Sequence, residues 1–426
     1  MIKQTALAVA ASALMAASSI AATQPTSDEA LERMRSFQPT GQSLDMATVP
    51  QTGEVADAIR RNLERVRLPE GFSIDLYAVV PDARHMAIGP SSGVVFVGTR
   101  KTDMWAVTDR TKNRVADEVK RFAPAISFTQ PGPCFSQDGF MFVAEHNRVL
   151  VFPAAEFFFE GPDVAVDIVV PSGELIPREE ESFNHGARVC RIGPDNQLYI
   201  SLGQPYNVQP REKLKLYEDL GIGGIVRMQR DGSEREVYAR GVRNSVGITF
   251  NPTTRELWFT DNQVDGMGDD IPPGEINHAP RPGMHFGMPW YGGGTTRTNE
   301  YRNDDPPEGL TFPVVETVAH AADLGLTFYT GRQFPEAYRG GLFSTQRGSW
   351  NRTTPVGARV MFTPFEADGS GPSGETIPFA EGWLDDETGE YYGRIVDVLQ
   401  LPDGSLLVSD DTAGAIYRIS YNGSRD

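Results

Sequence analysis

The sequence predicts a six-bladed β-propeller with a short helical lead-in, on three observations. The first is composition: 43 Gly and 31 Pro in 426 residues, with few long helical patterns, favour many short strands and tight turns. The second is alternation of apolar and polar residues from about residue 70 onward, the signature of half-buried strands. The third is a repeat. A strand, a Pro, Gly or Asp turn and a second strand ending in small or acidic residues recur six times, at 85–99, 132–145, 188–203, 245–262, 325–345 and 395–411. Anchored on Ser91, Asp138, Asp195, Pro252, Gln333 and Asp403, the spacings are 47, 57, 57, 81 and 70 residues. Periods of that size in an all-β chain mean blades of about four strands. Ring closure leaves no long edge strand exposed.

In chain order, Lys3 precedes the apolar run TALAVAASALMAASSI and the small residues Ser19-Ile20-Ala21-Ala22. This pattern predicts an export leader at 1–22, cut after Ala21 or Ala22, and a periplasmic or secreted protein. No later stretch is long and apolar enough to span a membrane. Residues 23–67 read as a polar, partly disordered lead-in. It carries a short helix at 27–36 and an amphipathic helix at 53–68, spaced by Val55, Ile59, Leu63 and Val66. The propeller then occupies 68–426. Its largest insertion, 263–324, is expected to rise over one end of the channel and wall a pocket. Cys134 and Cys190 lie in strands of different repeats; two buried thiols are the expectation, with a disulfide open to an oxidising compartment. The formal charge of −18 argues against nucleic acid and anionic membranes as partners.

The stretch FNHGARVCRIGPDNQLYISLG, 183–203, places His185 at the mouth of one hairpin. A histidine facing a shared channel is suited to take a proton near neutral pH. None of the six histidines shows metal-ligand spacing. Arg243-Asn244 holds the same place one repeat later, where it can grip an anion or a polarised carbonyl, or form a surface ion pair and a turn. The run TDNQVDGMGDDIPPGEIN, 260–277, suggests a hard cation. An EF-hand register starting at Asp261 fails, because its twelfth position is Pro272. Arg243, Arg359 and Arg394, each predicted at a strand end near the channel, suit a polyanionic ligand. No G-x-S-x-G, Walker loop, Rossmann fingerprint or covalent haem motif occurs.

From LPEGFSIDLYA (68–78) to AGAIYRISY (413–421) the chain resembles the soluble glucose/sorbosone dehydrogenases, nearest their sorbosone dehydrogenase-like branch. These are six-bladed propellers that use pyrroloquinoline quinone. The segments YARGVRNSVG, WFTDN…GDDIPPGEINHAPRPGMHFGMPW, GSWNR and LPDGSLLVSDDTAGAIYRISY carry the resemblance. It implies oxidation of a sugar or related alcohol or aldehyde by hydride transfer to the quinone. His185 would be the base, and Arg243 and Asn244 would face the quinone. Arg359, Arg394 and Gln130 would bind the cofactor. Backbone carbonyls of Asn262-Gln263-Val264 would hold a bridging Ca²⁺. The partners implied are a small sugar and a separate electron acceptor. Two departures stand out: Val396 occupies the place of a second cofactor arginine, and Tyr206-Asn207-Val208-Gln209 replaces a Cys-Asn-x-Cys segment. A Ca²⁺-dependent lactonase or a non-catalytic binding propeller are the alternatives.

Overall fold

A computed structural model describes residue 32 and residues 35–423. The leader at 1–22 and most of the helix expected at 27–36 lie outside the described residues. The chain divides into two units, 1–38 and 39–426; of the first, only residue 32 and residues 35–38 are described.

Residues from 72 onward form six sheets, antiparallel but for one parallel edge pairing, and every predicted hairpin is the inner pair of one of them. The innermost strands of blades one to six are Ala83–Ile88, Gly132–Phe135, Cys190–Ile192, Ile248–Phe250, Asp323–Phe328 and Ile395–Gln400. The ring closes by pairing across the chain ends. Phe72–Val79 lies antiparallel to Ala415–Tyr421 and completes blade six as its outer strand. Phe72 anchors that closure, its ring 4.7 Å from Phe334, 5.0 Å from Phe379 and 4.9 Å from Tyr421. Each such aromatic pair contributes roughly 0.5–1.5 kcal/mol beyond its buried area.

The lead-in helix runs Glu54–Leu63, shorter than the pattern suggested. Ile59 and Leu63 are buried as expected, but Val55 is exposed and Ala56 takes the inner position. Val66 falls beyond the helix, where the backbone turns to pair Arg67 with Glu381. The 263–324 insertion is largely irregular backbone, but it contributes to two sheets. It supplies the third and fourth strands of blade four, Gly274–Ala279 and Val315–Thr317, and an edge strand for blade three, Met284–His285.

Neighbouring blades are tied by specific bonds. Thr260 donates to Leu324 O, Thr345 to Val396 O, and Ser409 to Arg84 O, joining blades four, five, six and one in turn. Cys134 and Cys190 form a disulfide between the innermost strands of blades two and three, correcting the expectation of two thiols. Hairpin periodicity could not show that these two strand positions face each other across a blade boundary.

Candidate active site

The His185 hairpin forms as its sequence requires. Cys190 pairs with Ile200 and Ile192 with Leu198, and Asn196 N donates to Gly193 O across the turn. His185 sits ahead of the strand in a turn, at φ +57°. A non-glycine residue there is strained by about 1–3 kcal/mol, and such strain concentrates at functional sites. Three bonds from the buried Arg188 hold it there, to the carbonyls of His146, His185 and Gly203. Gly203 allows the close packing: a Cβ there would lie 2.4 Å from Asn244 Oδ1 and 2.6 Å from His185 O.

His185 Nδ1 lies 2.6 Å from Gln204 O. A carbonyl can only accept, so Nδ1 carries the proton and Nε2 keeps its lone pair. Burial, reinforced by the charges of Arg243 and Arg188, lowers the imidazole pKa to about 3. The ring is therefore a neutral proton acceptor at pH 7.

His185 lines a cavity of about 510 Å³ together with Gln130, Asn184, Asn207, Arg243, Asn244, Asp265, Arg84, Arg100, Phe183 and Trp350. Asn244 Oδ1 and Gln130 Oε1 are buried without a hydrogen-bond partner. Both are acceptors with no partner in the protein, so a polar ligand in the cavity would satisfy them. Gln130 is also left-handed, at φ +51°.

Arg243 is buried and fully engaged. It pairs with Asp265 at 2.7 Å and donates to Asn207 O, Asn207 Oδ1 and Asn262 O. Its backbone is set by Asp261, whose carboxylate accepts from Arg243 N (2.8 Å) and Asn244 N (2.7 Å). Asp410 does the same for Arg394 N in blade six, and Glu145 for Thr129 N in blade two. In these three blades the acidic end of the second strand is thus a clamp for the loop entering the innermost strand.

Of the nine residues expected at the site, His185, Arg243, Asn244 and Gln130 share this cavity; the other five are not among its lining residues. Arg359 begins the third strand of blade five and donates to Gln346 Oε1. This corrects its expected place beside the channel, because a strand end marks a height in a blade but not a radius. Arg394 does enter the innermost strand, but its guanidinium lies over the Tyr391 ring and donates to Gly348 O and Ser349 O. Gln263 bonds His320 Nδ1, and the Val264 side chain is buried. Asn262 O already accepts from Arg243, and among the described residues no group of three His, Cys, Asp or Glu side chains is placed to hold a metal.

Arg84 and Arg100 were missed. Arg84 donates to Asp411 at 2.7 Å, Arg347 grips the same carboxylate with two nitrogens, and Arg100 lies 3.9 Å from it. The Arg84 side chain is 11% exposed and that of Asp411 is 0%. Burial alone would raise the Asp411 pKa; the charges of Arg84 and Arg347 hold it below its usual range. Three guanidiniums on one carboxylate leave two positive charges in excess, beside a cavity in an acidic protein. The Arg84 Nε is buried and unpartnered. The repeat register was the available signal. Arg84 stands six residues before Pro90, and Val396 six before Pro402. The arginine expected at 396 occurs at the same register position in the adjacent blade.

Fold and cavity together define a propeller with a proton acceptor and an anion-attracting wall at the mouth of its channel. The chain belongs to the Glucose / Sorbosone dehydrogenase family, whose profile matches residues 174–418. It is 29% identical to an uncharacterized protein of Borreliella burgdorferi over 84% of this chain and 91% of that one. It is 25% identical to the aldose sugar dehydrogenase YliI of Escherichia coli, over 58% of this chain and 62% of the relative. Among solved structures, the holo PQQ domain of pyranose dehydrogenase from Coprinopsis cinerea superposes with a TM-score of 0.67. That match has 17% identity and covers 83% of this chain and 97% of that domain, a likeness of fold. Among the described residues no helix is long and apolar enough to cross a membrane.

Proposed function

We propose that the protein is a dehydrogenase that oxidises a sugar by hydride transfer to pyrroloquinoline quinone, with a separate acceptor taking up the electrons. The observation that carries this reading is the pairing, in one cavity, of a neutral histidine with the guanidiniums of Arg84 and Arg100. The residues fit a polycarboxylate quinone. Arg84 and Arg100 suit its carboxylates, Arg84 through its unpartnered Nε, and the orphan acceptors Gln130 and Asn244 are free to bond a polar ligand. When bound, the quinone supplies an electrophilic two-electron acceptor.

His185 Nε2 accepts the hydroxyl proton of the sugar, and Gln204 O holds the ring in the required tautomer. Arg243, locked by Asp265 and Asn207, presents fixed positive charge where negative charge develops. Asp261 holds Arg243 and Asn244 in register with His185.

Ca²⁺ remains part of the proposal only as an ion completed by the cofactor. The turn Asn262-Gln263-Val264 offers too few oxygens to hold a hard cation alone. Ca²⁺ and quinone should then each raise the affinity for the other, as linkage requires. The export leader is also part of this reading; the Cys134–Cys190 disulfide supports an oxidising compartment.

The hydrolase alternative needs acidic ligands from several blades to converge, and no observation favours it. The test is a visible spectrum of the protein mixed with quinone and Ca²⁺, followed by dye reduction across a sugar panel. A quinone chromophore with sugar-dependent dye reduction is expected. No chromophore and no reduction would overturn the reading.

A further inference from the structure

Trp350 and Phe183 line the same cavity as His185, yet are 76% and 64% exposed. Large aromatic side chains left in water at a cavity mouth cost free energy unless something covers them. The loop around Trp350 is not loose. Ser349 N donates to Val356 O, and Ser349 Oγ bonds Tyr391 OH. Asn351 donates to Asp265, and Arg352 to Ala319 O. Arg394 braces the loop from below through Gly348 O and Ser349 O. Every neighbour of Trp350 in sequence is pinned while the indole itself is held out over the cavity. Phe183 is presented in the same way, from a turn fixed by Ser182 N donating to His146 Nε2 and Gly186 N donating to Phe183 O.

Asn184, Asn207 and Asp265 line the same cavity, supplying polar groups beside the two aromatic side chains. A pyranose has matching chemistry, with an apolar C–H face and a rim of hydroxyls. We infer that Trp350 is the stacking platform for a sugar ring, with Phe183 as a second wall, and that this pair sets the site's affinity for pyranoses. The inference rests on the dehydrogenase reading for its substrate class, but it concerns binding, not chemistry.

The test uses the full-length protein with D-glucose and maltotriose as probes. Trp350 is the exposed one of five tryptophans; Trp105, Trp258 and Trp383 are buried and Trp290 is half-buried. Iodide quenching of the intrinsic fluorescence therefore reports mainly on Trp350, without quinone or turnover. Sugar should protect it from iodide, and Phe183→Ala should weaken that protection. In the quinone-loaded enzyme, Trp350→Ala should raise KM roughly tenfold while kcat moves less, the pattern of lost ground-state binding, and Trp350→Phe should recover most of it. Oxidation of sugar with no protection and an unchanged KM in Trp350→Ala would overturn the platform and leave the dehydrogenase reading standing. Protection without oxidation would support the platform and sink the enzyme assignment. Neither protection nor oxidation would remove both.

Discussion

The two sides of the channel mouth handle charge in opposite ways. On the side of blades three and four, the positive charge lining the cavity is balanced: Arg243 is paired with Asp265, and His185 is neutral. Where blades six and one meet, Arg84, Arg100 and Arg347 share the Asp411 carboxylate. Arginines line both sides, so residue type does not distinguish them; the ratio of acids to bases does. A balanced wall can orient atoms and move a proton without drawing in an anion. An unbalanced wall attracts one, because excess positive charge draws a counter-charge. The sides also differ in how they are tied. Blades two and three share a disulfide, while six and one are joined by hydrogen bonds.

The sharpest way to break this comparison is His185→Ala. It should lower turnover by roughly 10²–10⁴-fold and leave quinone affinity nearly unchanged. Near-normal turnover in a folded, loaded variant would remove the base from blade three.

Next in size is the covalent tie. Its 56-residue separation corresponds to on the order of 4 kcal/mol in the chain-entropy account. Replacing Cys134 and Cys190 together by alanine should lower thermal stability measurably, and a melting temperature equal to wild type would show the tie to be energetically idle.

Arg84→Ala should weaken quinone binding by about 10–100-fold, as loss of a charge-assisted bond does, while slowing the saturated enzyme much less. Titration calorimetry separates the two; equal loss in Arg84→Ala and His185→Ala would dissolve the division between the walls.

The acid limb of kcat/KM should lie well below pH 6.5, because burial holds His185 near 3. The same shift has a stability consequence. Between about pH 3 and 6.5 the unfolded chain binds the proton that folded His185 refuses, so this group makes stability rise with pH across that window. A pH–rate profile with its inflection at 6–7 would show His185 to be solvated.

The smallest effect is expected from Arg359→Ala, which lies outside the cavity and should change quinone affinity by less than about twofold. A loss as large as that of Arg84→Ala would return Arg359 to the site.

Much of the molecule was legible beforehand. Strand alternation and the Gly-Pro-Asp turns place all six inner hairpins, because the pleat imposes a period of two and tight turns need particular residues. His185 and Arg243-Asn244 were found because they precede inner strands, and the repeat carries that register along the chain. Arg359 was misplaced because position along a strand says nothing of distance from the propeller axis. Asp261, which opens the acidic run that suggested a cation, proved to be a backbone clamp, and Asp265 in the same run pairs with Arg243; composition does not reveal what a carboxylate accepts from.

By itself, then, the sequence determined the architecture, the blade count and which histidine stands at the channel mouth, all set by local periodicity and local turn chemistry. Tertiary structure alone decided which arginines line the cavity, which acids neutralise them, that Cys134 meets Cys190, and that Trp350 stands over the site. Each of those depends on residues from different blades converging. Such convergence is set by ring closure, which pairs Phe72–Val79 with Ala415–Tyr421 and brings Arg84 against Asp411, 327 residues apart in sequence.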